Sequence, residues 1–587
     1  LTATTDAAGR KTEFDLDVAS GSLCGITAPD GRQTLYVWNR RHQLTRAIAP
    51  DKTETTREYD AAGRLAAQAD ALEQTTRYHY ADAHGDRVMA VELPDGSRQQ
   101  LAWTDYHQLR RTTDCSGHAT DYEYDLWGQV TKITREEGQV TRYRYDPRGR
   151  LTATENAAGE VTAYHYNAAG DRVRTVFPGG RQEDVEYDAR GQRLRTLHGG
   201  LSQRFSYDAA GRVLSLINEN GARTQFVYDV MDRLIRETGF DGRIQQYQYG
   251  AAGELIHRLD GERVTRWHYD AAGRVICREN PPHGDGTPDD ERRTYDTNGL
   301  PQAVVHHSGG HQVTAVWQRD ATGRIVADGQ QVTAPDGRVL WSHTQASRYG
   351  PRGVLTQTLP DGLPAVDWLT YGPGHLLGVA LDGKPLLEVE RDKLHRERTR
   401  TFGPLTRETR YDRAGRLSHL TLAGYPALSR EHRYDERGQL TAIISGTRDD
   451  AGARQFVFDD AGRLTEALGL YPAQYQYDPA GNRLPPLHHA DPFSPARPDP
   501  RDAPRPALAD NRIREDATFT YHYDDYGNLT EKVCKATEGE VYRYGYDSSH
   551  RLTHYSHTLS WGDGHSTRHG HYLYDPLGRR VGKRTLR

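Results

Sequence analysis

The chain has 587 residues, with 76 Lys and Arg against 81 Asp and Glu, for a net charge of −5. That balance argues against a dedicated nucleic-acid binder, which carries a basic excess. No apolar run reaches the ~20 residues of a membrane-spanning helix, and no signal peptide opens the sequence. Tyr (35) far outnumbers Phe (10) and Trp (8), and Gly reaches 58.

In chain order, residues 1–120 hold loose repeats of one unit. Its plainest copy there is Tyr59-Asp60-Ala-Ala-Gly63-Arg64. The chain opens inside such a repeat, so it reads as a piece of a longer protein. Residues 121–280 are the most regular stretch. Their motif tyrosines are Tyr124, Tyr145, Tyr166, Tyr187, Tyr207, Tyr228, Tyr249 and Tyr269, at steps of 21, 21, 21, 20, 21, 21 and 20 residues. A fixed short period marks a repeat architecture. Within a unit, VTRYRY alternates, which sets Tyr143 and Tyr145 on one face of a strand. DPRG then turns: Asp146 accepts from amides ahead of it, and Gly149 supplies the positive φ of a hairpin with a glycine bulge. LTATE returns as the second strand. The same three roles fall on Tyr207, Asp208 and Gly211, and on Tyr269, Asp270 and Gly273. The copy at Tyr228–Arg233 has Asp232 in the glycine place, which Asp tolerates better than most residues. Stacked units align tyrosine pairs such as Tyr78/Tyr80 and Tyr164/Tyr166 into cross-strand aromatic ladders. The arginines, spread beside acids, read as surface pairing.

Residues 281–484 hold repeats that degrade and then recover. Pro281–Asp290 reads as a solvated protruding loop. LDGKPLLEVERDKLHRERTR, between 380 and 410, is where a short helix would intrude. The motif recovers at Tyr411, Asp412 and Gly415 and at Tyr477, Asp478 and Gly481. Residues 485–510 form a Pro-rich insertion: Pro485–Pro506 carries 8 of the 28 prolines, which excludes a central strand. Residues 511–587 resume the repeats and end with Tyr574, Asp575 and Gly578.

No site chemistry stands out. Cys24, Cys115, Cys277 and Cys534 form no CxxC pair. His565, His569 and His571 have a metal-like spacing but no acid or cysteine at ligand distance in sequence. The doublets His306-His307 and His488-His489 carry less signal still. No nucleophile elbow, HExxH or phosphate-binding loop occurs. The residues thus signal no catalytic group, no metal and no cofactor, and the motif positions are structural.

The repeated YDxxGR units resemble the Rhs/YD-repeat family, to which teneurin-type shells and toxin-complex C subunits also belong. The likeness runs from about Thr2 to Arg587. It implies an all-β fold, in which tandem hairpins wind as a long spiral sheet into a hollow shell. It implies the cocoon of a bacterial polymorphic toxin, enclosing a C-terminal toxin cargo that lies outside this sequence and is exported by a type VI-like apparatus. Its partners would be that cargo, a secretion spike or adaptor, and an immunity protein. The family's self-cleavage residues map to no position here, so none is carried over. About 50 strands at ~4.8 Å give on the order of 240 Å of sheet. Wound about twice, that leaves a lumen on the order of 25 Å, with room for a small or partly unfolded polypeptide. The alternative is a cell-surface adhesin that stacks its tyrosines on glycans.

Overall fold

In the computed structural model of the protein, the described residues are 2–83, 85–282, 286–308, 310–423, 428–446, 452–469, 472–484, 510–516, 518–537, 539–562 and 564–586. The fold is all-β. One antiparallel sheet of 44 strands runs from Ala3 to Gln474, and its hydrogen bonding passes residues 120 and 280 without a break. A two-stranded piece follows at Gln476–Leu484, then a separate six-stranded sheet from Phe519 to Leu586. Each strand pairs with its neighbours in the chain, so the contacts are local and the sheet grows one hairpin at a time.

The unit forms as its residues dictate. Strand Val140–Tyr145 pairs with Leu151–Glu155, and the register slips by one residue between Arg144 and Tyr145. Gly149 beyond the slip has φ 78°, so this is a glycine bulge of the kind that three-residue hairpins carry. The other motif glycines, Gly63, Gly211, Gly273, Gly415, Gly481 and Gly578, share that conformation. So does Asp232, at φ 63°. Asp146 Oδ1 accepts from the amides of Arg148 (2.9 Å) and Arg150 (3.0 Å), while Oδ2 takes Arg150 Nε at 2.7 Å. The amide and then the guanidinium of Arg150 hold the Asp146 carboxyl below the usual carboxylate range. The same Asp–Arg clamp closes the turns at Asp60, Asp208, Asp270, Asp412 and Asp575.

Three expectations are corrected. Residues 380–410 contain no helix. They form strands His375–Leu381, Lys384–Arg391, Glu397–Phe402 and Leu405–Tyr411. Asp382-Gly383 makes a hairpin turn with φ 46° and 73°. Asp392 accepts from Leu394 and Arg396 as a motif aspartate does, with His395 at φ 62° in the glycine place. A motif stripped of Tyr and Gly therefore still turns on its Asp and Arg.

The tyrosines, in turn, do not form ladders through the main sheet. Among the described residues, Tyr–Tyr ring contacts join only Tyr542 and Tyr544 to Tyr555, in the last sheet. Elsewhere the motif hydroxyl donates to a carbonyl at the head of the preceding hairpin's return strand. Tyr145 reaches Val130 (2.9 Å) and Tyr166 reaches Leu151 (2.8 Å). Tyr59, Tyr207, Tyr269, Tyr411 and Tyr574 reach Leu44, Arg193, Leu255, Glu397 and Leu552 in the same way. The arginine of one turn then lies over the ring of the next: Arg64 over Tyr80 (4.1 Å), Arg150 over Tyr166 (4.8 Å) and Arg463 over Tyr477 (5.2 Å). Offset tyrosines on a pleated wall sit closer to the next turn's guanidinium than to each other, and a cation over a ring is favourable.

The end of the loop Pro281–Asp290 is the third correction: Asp289 and Asp290 are buried at 2% and 8% exposure in ion-paired contacts, whereas Pro282, Gly286 and Pro288 are exposed as a solvated loop would be. Residues 283–285 lie outside the described set, as do 485–509, which hold most of the Pro-rich insertion.

Apolar burial is sparse. Among the described residues ten apolar side chains are buried, and the one packed cluster is Val304, Ala315 and Trp317, with Ile325 against it. The chain exposes 34631 Å², against about 21,000 Å² for a compact protein of 66.1 kDa. A thin wall open to solvent on two faces accounts for the excess.

The turn Thr104–Gln108 tests the role of the positive-φ position. His107 occupies it at φ 62° and is exposed. His107→Gly should stabilise the turn by about 0.5–1 kcal/mol, read as 2- to 5-fold slower amide exchange over residues 104–108; faster exchange would contradict the account.

Candidate functional site

The functional feature of this molecule is a seam. Turns in the sheet alternate between two edges, the motif turns on one and the linking turns on the other. Contacts between residues 247, 258, 259 and 263 positions apart join the two edges. In the main series, a motif turn of the later chain meets a linking turn of the earlier chain. Arg274 pairs with Asp30 at 3.0 Å, Arg352 with Asp95 at 2.8 Å, Arg396 with Glu137 at 3.0 Å and Arg416 with Glu160 at 3.0 Å. Asn220 donates to Asp478 at 2.8 Å, and Arg512 reaches Asp241 at 2.9 Å. His395 Nε2 lies 2.8 Å from Asp114. The motif arginine therefore clamps its own turn with Nε and has guanidinium nitrogens left for the next winding.

Contact is close where side chains are absent. A Cβ on Gly199 would lie 2.7 Å from the backbone of Ala461, and one on Gly179 would lie 3.1 Å from the amide of Arg437. Larger groups fill wider gaps: Tyr526 lies against Gly261, with Arg263 3.5 Å over its ring. The seam also buries some clamps. Asp478, Asp547 and Asp575 are among the most enclosed of the described side chains, at 0%, 2% and 0% exposure. Seam contact alone does not bury a clamp: Asp6, whose Arg10 meets Glu254 of the later winding, keeps 38% of its side chain exposed.

The winding number follows. Twenty-three strands, from Gln33–Trp38 to Arg263–Tyr269, separate the turn holding Asp30 from the turn holding Arg274 that sits on it. At ~4.8 Å per strand the winding is about 110 Å around, or about 35 Å across between backbones. Inward side chains leave a bore of about 25 Å. Some 250 residues per winding make the whole chain slightly more than two windings.

His569 and His571 meet His554, not His565: His554 Nε2 is 3.3 Å from His569 Nδ1, and the His554 and His571 rings are 4.8 Å apart. Among the described residues no group of three His, Cys, Asp or Glu is arranged to hold a metal ion. The four cysteines are free and half-buried. His306, passed over in the sequence, is fully buried at a seam contact with Arg551, and only its place in the fold reveals that.

Comparison with known proteins matches this geometry. The family profile described as RHS Repeat matches residues 59–98, 103–140, 124–160, 145–182 and 523–559, and that of the Teneurin YD-shell matches residues 180–287. The chain is 28% identical over 414 residues to the double-stranded DNA deaminase toxin A of Burkholderia cenocepacia, spanning 65% of this chain and 26% of that protein. It is 33% identical over 314 residues to the toxin protein Tse5 of Pseudomonas aeruginosa, spanning 48% and 22%. The chain thus spans about a quarter of the length of these relatives. The crystal structure of TcdB2-TccC3-TEV superposes with a TM-score of 0.67 at 12% identity, over 99% of this chain and 40% of that one. At that identity the likeness is one of fold.

The two adjacent glycines at the seam give a test. Gly199 and Gly200 both have positive φ, but only a Cβ on Gly199 meets Ala461. Both alanine variants bear a left-handed strain of ~1–2 kcal/mol. Gly199→Ala should lose a further ~1–3 kcal/mol by overpacking, seen as a lower unfolding midpoint and faster proteolysis near 461. Equal losses in the two variants would mean that the windings do not touch there.

Proposed function

Because the chain belongs to the RHS-repeat and YD-shell family, we propose that it is the shell of a polymorphic toxin, a cocoon that encloses a C-terminal toxin segment and carries it out of the producing bacterium. The observation that carries the reading is the seam. A sheet whose successive windings are bonded edge to edge encloses a bore instead of lying open.

The bore limits what is enclosed. A compact 100-residue domain, of radius of gyration ~13 Å, is about 33 Å across as a sphere, wider than ~25 Å. A cargo of that size would therefore be held elongated or unfolded. The wall thus keeps the toxin inactive as well as shielded. A secretion spike or adaptor and an immunity protein are the partners this role requires, with the catalytic activity carried by the cargo and not by the wall. The adhesin alternative is disfavoured by motif tyrosines such as Tyr80, Tyr249 and Tyr434, each of which has an arginine over one face of its ring.

Appending a ~100-residue reporter enzyme after Arg587 tests this reading. The shell should hold it so that protease cleaves it at least 10-fold more slowly than the free reporter, with reporter activity suppressed until the wall is unfolded. A reporter that is active and cut at the free rate would defeat the proposal. Binding of defined glycans by the 587-residue chain would favour adhesion.

A further inference from the structure

The last sheet, Phe519–Leu586, shares no backbone ladder with the 44-stranded wall among the described residues. It is held by side chains at three turns: Tyr526 packs against Gly261 and Arg263, Arg579 pairs with Asp328 while Gln330 donates to Asp575, and the remaining contacts converge on the motif turn Asp547–Arg551. Ser548 donates to Asp289, and Arg278 Nη2 reaches Ser549 at 3.3 Å. Arg551, clamped by Asp547 at 2.7 Å, extends Nη2 to 3.4 Å from His306 Nε2. His550, in the glycine place at φ 62°, points Nε2 to 3.5 Å from Arg243 Nη2. Two imidazoles thus face guanidinium groups across the contact that fastens this sheet.

Each imidazole has a defined set of charged neighbours. His306 is fully buried, with Asp289 Oδ1 at 3.7 Å, and Nδ1 has no hydrogen-bond partner. Glu291 pairs with it across the ladder but is already engaged by Arg278 and Arg293. From the turn, Arg551 and Asp547 face it. On its other side, strand His311–Arg319 places Val313 opposite. His550 has Arg243, Arg263, Asp260 and Asp524 as charged neighbours, with Asn528 Oδ1 at 3.1 Å from Nδ1. Asp260 is itself held by Arg243. Glu291, Asp547 and Asp260 are committed to arginines, while the oxygens of Asp289 already accept from Ser548 and Asn280 and those of Asp524 from Asn528 and backbone amides, so an added proton on either ring meets an arginine and carboxylates that are already engaged.

We propose that the turn Asp547–Arg551 is an acid-released latch, which holds residues 519–562 of the last sheet against the wall while His306 and His550 are neutral and loosens them when they are protonated. Burial, and then Arg551, pushes the His306 imidazole below its ordinary value, against the pull of Asp289, Glu291 and Asp547. Burial, and then Arg243 and Arg263, does the same to His550. A histidine depressed in the folded state binds its proton more readily once released. Its contribution to the hold is complete above the ordinary value near ~6.5 and is lost as pH falls through the folded value. The motif carboxylates, such as Asp146 and Asp229, are depressed below an ordinary value near ~4. Their contribution persists down to that range, so the histidine step precedes any general acid unfolding.

Hydrogen exchange on the full chain, corrected for the intrinsic pH dependence of amide exchange, separates the outcomes. Between pH 7.5 and 5.5, peptides from 519–562 should exchange at least 5-fold faster while peptides from 130–230 stay within 2-fold. The double variant His306→Gln/His550→Asn should lose at least half of that increase, and His550→Asn alone should lose part of it. An unchanged 519–562 region in the wild type, a rise spread evenly along the chain, or a full rise in the double variant would overturn the latch. The wild-type comparison decides even if the His306 variant does not fold.

Discussion

The structure depends on one repeated interaction, the aspartate–arginine clamp that closes each motif turn. Asp146 shows its logic. One carboxylate oxygen satisfies two amides that the tight turn leaves without partners, and the other fixes a guanidinium whose remaining nitrogens point outward. Charge-assisted bonds of this kind are roughly twice as strong as neutral ones. They suit a wall with little apolar surface to bury. The clamp also aims the arginine, and that direction is used twice: once over the tyrosine of the next hairpin, and again towards the adjacent winding.

Hairpin joins to hairpin through the tyrosine, which donates its hydroxyl backwards along the chain while its ring receives the previous arginine from above. Repeats whose neighbours contact only each other normally build open solenoids. This chain closes because the linking turns carry acids, small residues and asparagine where the arginines of the later winding arrive. The hollow is a consequence of polar edges meeting, with no thick core to draw the wall inward. The apolar cluster at Val304, Ala315 and Trp317 is a local exception, where the strands lengthen to 8–9 residues and the last sheet docks nearby.

Among the described residues, many of the perturbed titratable groups, such as Asp146, Asp270 and Arg416, are committed to turn clamps and seam pairs, so their shifted acidities report structure. At the latch the same commitment has another effect. There, histidines replace a glycine and an apolar neighbour at a contact already rich in arginine.

The sequence by itself determined the hairpin, the bulge, the period and the all-β class, because those rest on residues within five positions of one another: Tyr145, Asp146, Gly149 and Arg150 meet within a single turn. It also contained the strands at 380–410. There Asp392 and Arg396 persist, but the loss of Tyr and Gly hid them behind a helix-favouring composition. What the arginines do beyond their own turn was not legible. Nor was the burial of Asp478, Asp547 and Asp575, or the winding number. Each of these is set by a partner about 250 residues away, and that distance depends on how the twist accumulates over twenty-three strands. Only the closed tertiary structure brings Arg274 to Asp30 and Arg551 to His306.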